Sequence, residues 1–238
     1  MGGCVLNKKY LMVAIVYILV FATTVFSVSQ LKEQAQPATI HTAALPQIII
    51  DAGHGGMDGG ASAADGTVEK HINLDISKKL ECLFQVLGFD VIMTRTEDVL
   101  EAGEETNRSL KVNDIRRRLA IAEQHPQAIF LSIHQNKFSV PKYKGTQVFY
   151  APNGEKSEAL AKSIQNSVAS LLQKDNYRQI KKTGKEIYIL YHTTITAVMV
   201  ECGFLSNPEE CELLKSAEYQ DKMAFSILCG TMEYCESL

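Results

Sequence analysis

Residues 47–56 read QIIIDAGHGG, an unbroken apolar run that ends in an acid and opens into glycines around a histidine. Residues 47–51 have the length and composition of a short strand buried on both faces. The glycine-rich loop after it, residues 53–66, is able to turn sharply and to approach a bound group closely. Outward from there, a helix is expected over residues 68–87, where Ile72, Leu80, Leu83, Phe84 and Leu87 fall near helical spacing and Gly88 stops it. Residues 89–94 (FDVIMT) read as a second strand, residues 97–105 as an acidic solvated loop, residues 110–124 as a helix and residues 128–133 as a third strand. Residues 145–150 alternate like a fourth strand and residues 157–174 are amphipathic. Residues 187–190 and 197–200 read as two further strands, and Asn207 and Pro208, followed by Glu209 and Glu210, cap and open another helix. Strands alternating with helices predict one α/β domain with a twisted, mostly parallel sheet flanked by helices.

The chain of 238 residues, 46% hydrophobic and 21% charged, has the balance of a folded globular protein. At this length about 70% of the unfolded surface is buried on folding, so no disulfide staples are needed. A formal charge of −3 excludes a general nucleic-acid binder, which concentrates cations against phosphates. Lys8 and Lys9 precede an uncharged apolar run over residues 11–28, and no acid occurs before Glu33. That pattern is an export signal or an uncleaved anchor with its lysine end cytoplasmic, and the poor cleavage site around Val25 and Ser27 favours retention. Residues 1–33 are therefore expected to be the membrane segment, residues 34–46 a linker, and residues 47–238 an exported, acidic catalytic domain on the outer face of the membrane. Cys82, Cys202, Cys211, Cys229 and Cys235 form no C-x-x-C pair and read as buried thiols, with a Cys229–Cys235 bridge left open.

Four side chains sit where chemistry collects in an open α/β sheet, beyond the carboxyl ends of strands. His54 follows the first strand, Glu69 opens the next helix in VEKHINL, His134 ends the third strand in FLSIHQN, and Glu201 ends the apolar run AVMV. Two imidazoles and a carboxylate with an open fourth position make a catalytic zinc set, and a further carboxylate is able to take a proton from water there. Spacing alone leaves that reading level with four unrelated structural residues, because no helix-local zinc signature is present. Asn73, four residues after Glu69, shares its helix face and is placed to orient the ligand carboxylate. His71 lies about 200° round the helix from Glu69 and points away. Cys202 faces the side of its strand opposite Glu201. Arg95 and the Arg116–Arg118 cluster read as helix-surface or loop-anchoring charges.

The strings DAGHGGMDGGA, EKHINLDI, TRTED, FLSIHQN and VECGFLSNPEE, in this order, resemble the zinc-dependent N-acetylmuramoyl-L-alanine amidases, which hydrolyse bacterial peptidoglycan. The resemblance runs from about Ile48 to the C-terminus and implies a zinc-hydrolase-like α/β fold. It implies one zinc ion (Zn2+) held by His54, Glu69 and His134, with Glu201 as the catalytic carboxylate. A short form with one N-terminal membrane segment and no wall-binding repeats is similar to the spore-cortex (germination-specific) amidases, which strip stem peptides so that muramic δ-lactam can form. A vegetative wall amidase, a zinc peptidase cutting within the stem and a catalytically silent wall-binding protein are the alternatives. The sequence departs from the family at Thr196, where relatives usually place a proline. It also lacks room for a long inhibitory helix, since residues 151–156 alone separate the fourth strand from the next helix. Control therefore falls to an accessory protein or to the timing of expression.

Overall fold

The chain divides into two units, Met1–Ala43 and Ala44–Leu238. The computed structural model describes Thr23, residues 45–99 and residues 107–237. Apart from Thr23, the expected membrane segment lies outside the described residues, as do nearly all of the linker and most of the acidic stretch after Glu97. Among the described residues no helix is long and apolar enough to cross a membrane.

The elements run β1 (Ile48–Ala52), α1 (Glu69–Val86), β2 (Val91–Met93), α2 (Asn107–Glu123), β3 (Ile129–Asn136), β4 (Gln147–Tyr150), α3 (Glu155–Leu171), β5 (Lys181–Lys182), α4 (Tyr188–His192), β6 (Thr196–Phe204), α5 (Pro208–Lys215) and α6 (Ala217–Glu236). They build one six-stranded sheet in the order β2-β1-β3-β6-β4-β5. All neighbouring pairs are parallel except β4 against β6, so the α/β domain with a mostly parallel sheet is the fold observed. Every residue of β1 is buried, as its continuous apolar run requires.

Two cores flank the sheet. On one face Ile48, Ile50, Leu131, Ile133, Val198 and Val200 meet Ile76, Leu80 and Phe84 of α1, Ile164 of α3 and Ile227 of α6. On the other, Ile49, Phe130, Ala197 and Met199 meet Ala122 of α2 and Ile189 and Leu190 of α4. The alternation of side chains along each strand divides one sequence between two cores.

Three expectations are corrected. Residues 187–190, read as a strand, form the start of α4. The Tyr191 N–H donates to the Ile187 carbonyl at 2.9 Å and the Thr193 N–H to the Ile189 carbonyl at 3.0 Å, which is helical pairing. A short apolar run does not reveal its period; here the run is helical and packs Ile189 and Leu190 into the second core. Strands β3 and β6 also continue past His134 and Glu201, to Asn136 and Phe204, because their pairing persists across a register shift. Last, α6 had no place in the sequence reading. Its Met223, Ala224, Ile227, Leu228 and Tyr234 are buried at helical spacing against α1 and α3.

Candidate active site

The loop between β1 and α1 is held by two arginines that the fold buries, each 2% exposed. Arg95 donates from Nε to the Ala52 carbonyl at 2.8 Å, and from Nη2 to the carbonyls of Gly53 at 3.0 Å and Lys70 at 2.8 Å. Arg118 donates from Nη1 to the Asp51 carboxylate and the Ala52 carbonyl, both at 2.7 Å, and from Nη2 to the His54 carbonyl at 2.8 Å. A loop whose carbonyls turn inward needs donors, and the fixed fork of guanidinium provides several from one side chain. The loop-anchoring reading thus describes both residues, whereas Arg116 is exposed on α2. Burial alone would raise the Asp51 carboxyl, but Arg118 and the hydroxyls of Ser132 and Thr94 hold it at about 2.

So fixed, the backbone carries His54 at φ 62°, a conformation few non-glycine residues adopt. Its Nδ1 lies 2.8 Å from Asp58 Oδ2, and its Nε2 lies 3.4 Å from Glu69 Oε2. Glu69, first residue of α1, has its other oxygen 2.9 Å from His134 Nδ1. Glu69 Oε2 accepts from the Ala61 N–H at 2.7 Å, and Oε1 accepts from the Gln135 N–H at 3.0 Å and from Asn73 Nδ2 at 3.2 Å. Asn73 also donates to the Gly53 carbonyl at 3.1 Å and accepts from Gln135 Nε2 at 3.2 Å. Two glycines make the closeness feasible. A Cβ on Gly53 would lie 2.2 Å from His134 Nε2, and one on Gly60, at φ +70°, would lie 2.6 Å from Glu69 Oε2.

One ligand atom from each of His54, Glu69 and His134 falls within 4.8 Å of the others. Ligands 2.0–2.2 Å from a tetrahedral zinc lie about 3.4 Å apart, and the His54 nitrogen lies 3.4 Å from one Glu69 oxygen while the His134 nitrogen lies 2.9 Å from the other, so two imidazoles flanking one carboxylate suit that ion. Burial lowers the His54 pKa, but Asp58 and Glu69 outweigh it and raise it to about 9. Burial pushes Glu69 up, yet its contacts with His134 and His54 hold it well below the usual carboxylate range.

Glu201 sits directly across from His134 in the β3–β6 register. Its Oε2 is buried and has no hydrogen-bond partner among the described residues. Burial and the negative charge of Glu69 raise its carboxyl to about 7, against the opposing pull of His134 and His54. Glu201, His54 and His134 share a cavity of about 260 Å³ whose wall includes Asp58, Lys111 and Tyr188. A lone oxygen in a carboxylate of raised pKa, facing a cavity beside three donors, is arranged to exchange protons with whatever enters.

His54, Glu69, Asn73, His134 and Glu201 are thus brought together at one end of the sheet. His71 lies outside the group, its Nδ1 4.0 Å from Asp98. Cys202 is buried in the core across the sheet, and burial drives its thiol pKa up. Cys82, Cys202, Cys211, Cys229 and Cys235 are all free thiols, but only Cys202 and Cys211 are buried as expected; Cys229 and Cys235 are half-buried and Cys82 is exposed. The sequence reading missed Asp58 and Gln135. An acid four residues after a histidine in a glycine-rich turn was the available signal for Asp58; Gln135 reaches Glu69 through its backbone N–H, which no side-chain pattern reports.

Comparison with known proteins places this geometry. The family described as N-acetylmuramoyl-L-alanine amidase matches residues 48–232. A germination-specific N-acetylmuramoyl-L-alanine amidase of Bacillus subtilis is 35% identical over 189 residues, covering 79% of this chain and 78% of that protein. Among solved structures, the CwlD amidase from Clostridioides difficile, determined in complex with the GerS lipoprotein, superposes with a TM-score of 0.78 at 39% identity, covering 81% of this chain and all (100%) of that one. The amidase AmiC2 of Nostoc punctiforme gives a TM-score of 0.69 at 29% identity, over 80% of this chain and 97% of that one.

Proposed function

Because the chain belongs to the N-acetylmuramoyl-L-alanine amidase family and has that hydrolytic activity on peptidoglycan, we propose that His54, Glu69 and His134 hold one zinc ion and that Glu201 is the proton-transfer group. The observation that carries this reading is the meeting of three donors from three chain elements beside the unpartnered Glu201 oxygen. When bound, the ion supplies Lewis acidity, lowering a water's pKa to about 7 and polarising the lactyl carbonyl. Glu201 accepts the proton of the attacking water and returns it to the L-alanine nitrogen, which then departs as an amine. Asp58 holds His54 in the tautomer that leaves Nε2 free, and Asn73 with the Gln135 N–H fixes the Glu69 carboxylate. Gly53 and Gly60 let the donors converge, and Arg95 and Arg118 keep the loop from drifting.

The biological setting proposed is removal of stem peptides in spore cortex, ahead of muramic δ-lactam formation, with the protein anchored by residues 1–33 on the outer face of the membrane, residues 34–46 as linker and residues 47–238 as catalytic domain. The germination-specific relative supports the setting, and the lipoprotein complex of the Clostridioides difficile relative supports an accessory partner. Digesting purified peptidoglycan with the zinc-loaded protein and identifying products by mass spectrometry tests the chemistry. Free lactyl groups with intact peptides are expected, whereas cleavage within the stem would replace the amidase assignment by a peptidase. Fractionation tests the anchor: the full chain is expected in the membrane pellet, and a mature N-terminus just after Ser27 would show a cleaved signal.

A further inference from the structure

The register of the sheet carries the site one strand beyond Glu201. Gln147 of β4 is the direct antiparallel partner of Glu201, so both side chains stand on the same face at strand spacing. Between His134 and Asn136 of β3, strand β6 takes an extra residue, with Glu201 opposite the first and Phe204 opposite the second. Such a bulge turns the following side chains over, which brings Phe204 to the face of Glu201. Arg178 closes the group. Its guanidinium lies 4.5 Å from the Phe204 ring centroid, donates from Nε to the Lys144 carbonyl at 2.7 Å and from Nη1 to Gln147 Oε1 at 3.4 Å. Lys181 stands over Phe149, the β4 residue two after Gln147 and on its face, at 5.6 Å.

Glu210 feels the charge of Arg178 and Glu186 that of Lys181, but no carboxylate among the described residues comes within ion-pairing distance of either cation. Neither Arg178 nor Lys181, nor Lys142 over the Tyr143 ring, makes an ion pair among the described residues. The nearby acids are occupied elsewhere: Glu210 accepts from the N–H groups of Gly145 and Phe204, and Glu186 from that of Gly184. A guanidinium stacked on an aromatic ring, fixed through two of its nitrogens and left with Nη2 open, is preorganised to bind a carboxylate. Two residues of extended peptide span about 7 Å, comparable to the step from one strand to the next and into the reach of an arginine.

We infer that Arg178, backed by Phe204 and Gln147 and assisted by Lys181, binds a carboxylate on the stem-peptide residue that follows L-alanine. The inference rests on the amidase reading with Glu201 at the scissile bond, and it makes Arg178 a specificity-determining residue. An acidic second residue is drawn to the β4 side of the groove, and the amide is thereby held in register with Glu201.

The test compares two substrates on the full, zinc-loaded chain: muramyl-L-alanyl-D-glutamate and its diamide, in which both carboxylates are replaced by carboxamides. The glutamate form is expected to have the higher kcat/KM by about tenfold, through KM, the usual scale for one charge-assisted contact. Arg178→Gln is expected to bring the ratio to about one, and Arg178→Lys, which keeps the charge without the fork, to retain part of it. A ratio of one in the unsubstituted protein overturns the inference whether or not the variants fold. So does an unchanged ratio in an Arg178→Gln protein whose thermal unfolding shows it folded. If neither substrate is hydrolysed, the amidase reading fails instead. The carboxylate site is then judged by calorimetric binding of the same two compounds, and equal affinities reject it.

Discussion

At Glu201 and Glu69 two carboxylates acting on the same imidazoles are assigned different duties, and substitution separates them. Glu201→Gln keeps its shape but cannot take a proton at neutral pH, so zinc content is expected to stay near normal while turnover falls by roughly 10² to 10⁴. Glu69→Gln, which exchanges a charged ligand for a neutral one, is expected to lose metal as well as rate. Zinc analysis beside hydrolysis checks both, and loss of zinc from the Glu201 variant alone would exchange the two roles. Asp58→Ala removes the acceptor 2.8 Å from His54 Nδ1 and is expected to weaken zinc binding by roughly 10–100-fold. A competition titration against a zinc chelator measures that. Asp58 is also the site residue that a reading of side-chain types passes over, because its partner is known only once the loop has folded back.

Among the elements, close approach of backbone decides more than propensity does. Gly230 lies within α6, where Ala in place of Gly ordinarily stabilises a helix by up to about 1 kcal/mol. Here a Cβ would lie 2.5 Å from the Ile164 Cα of α3, so the two helices must separate. Gly230→Ala is therefore expected to destabilise by about 1–3 kcal/mol, the scale of overpacking, and the urea midpoint reads the sign. Gly53→Ala has a different target. Its Cβ displaces His134, so zinc affinity is expected to fall far more than the unfolding midpoint does. The strand-like reading of residues 187–190 failed at this same scale: Ile189 and Leu190 are apolar enough for either state, and as part of the helix α4 they pack into the second core.

For the whole molecule, the buried Asp51–Arg118 pair couples the loop to acid stability. The Asp51 carboxyl is depressed from 3.8 to about 2, so its contribution, about 2 kcal/mol, is present in full above the unfolded value and is lost as pH falls from about 4 through 2. Asp51→Asn is expected to cost about 1.5–3 kcal/mol at neutral pH, the scale of a lost charge-assisted hydrogen bond, because Arg118 keeps Asp114 at 2.7 Å as its remaining partner, and to flatten that acid limb. Denaturant titrations at pH 7, 4 and 3 test both effects. Metal acts on the same equilibrium by mass action. Zinc at a hundredfold excess over its dissociation constant adds about 2.7 kcal/mol, so chelation is expected to lower the unfolding temperature by roughly 5–10 °C for a domain of this size.

The sequence alone determined the alternation of strands and helices, the apolar β1 run, the glycine loop and the types and order of His54, Glu69, His134 and Glu201, because local periodicity and residue chemistry are written along the chain. It also placed Asn73 on the face of Glu69, a consequence of helical geometry four residues apart. What tertiary structure decided was everything that depends on partners distant in sequence. Arg95 and Arg118 became buried anchors because the carbonyls they satisfy lie on a different element. Asp58 and the Gln135 N–H joined the site through a fold-back and a register, and α4 packs as a helix against a core whose other members include residues of β1, β3 and β6. The bulge in β6, which shifts Phe204 in register after Glu201, arises from pairing with β3, and a strand cannot encode its partner's register by its own pattern.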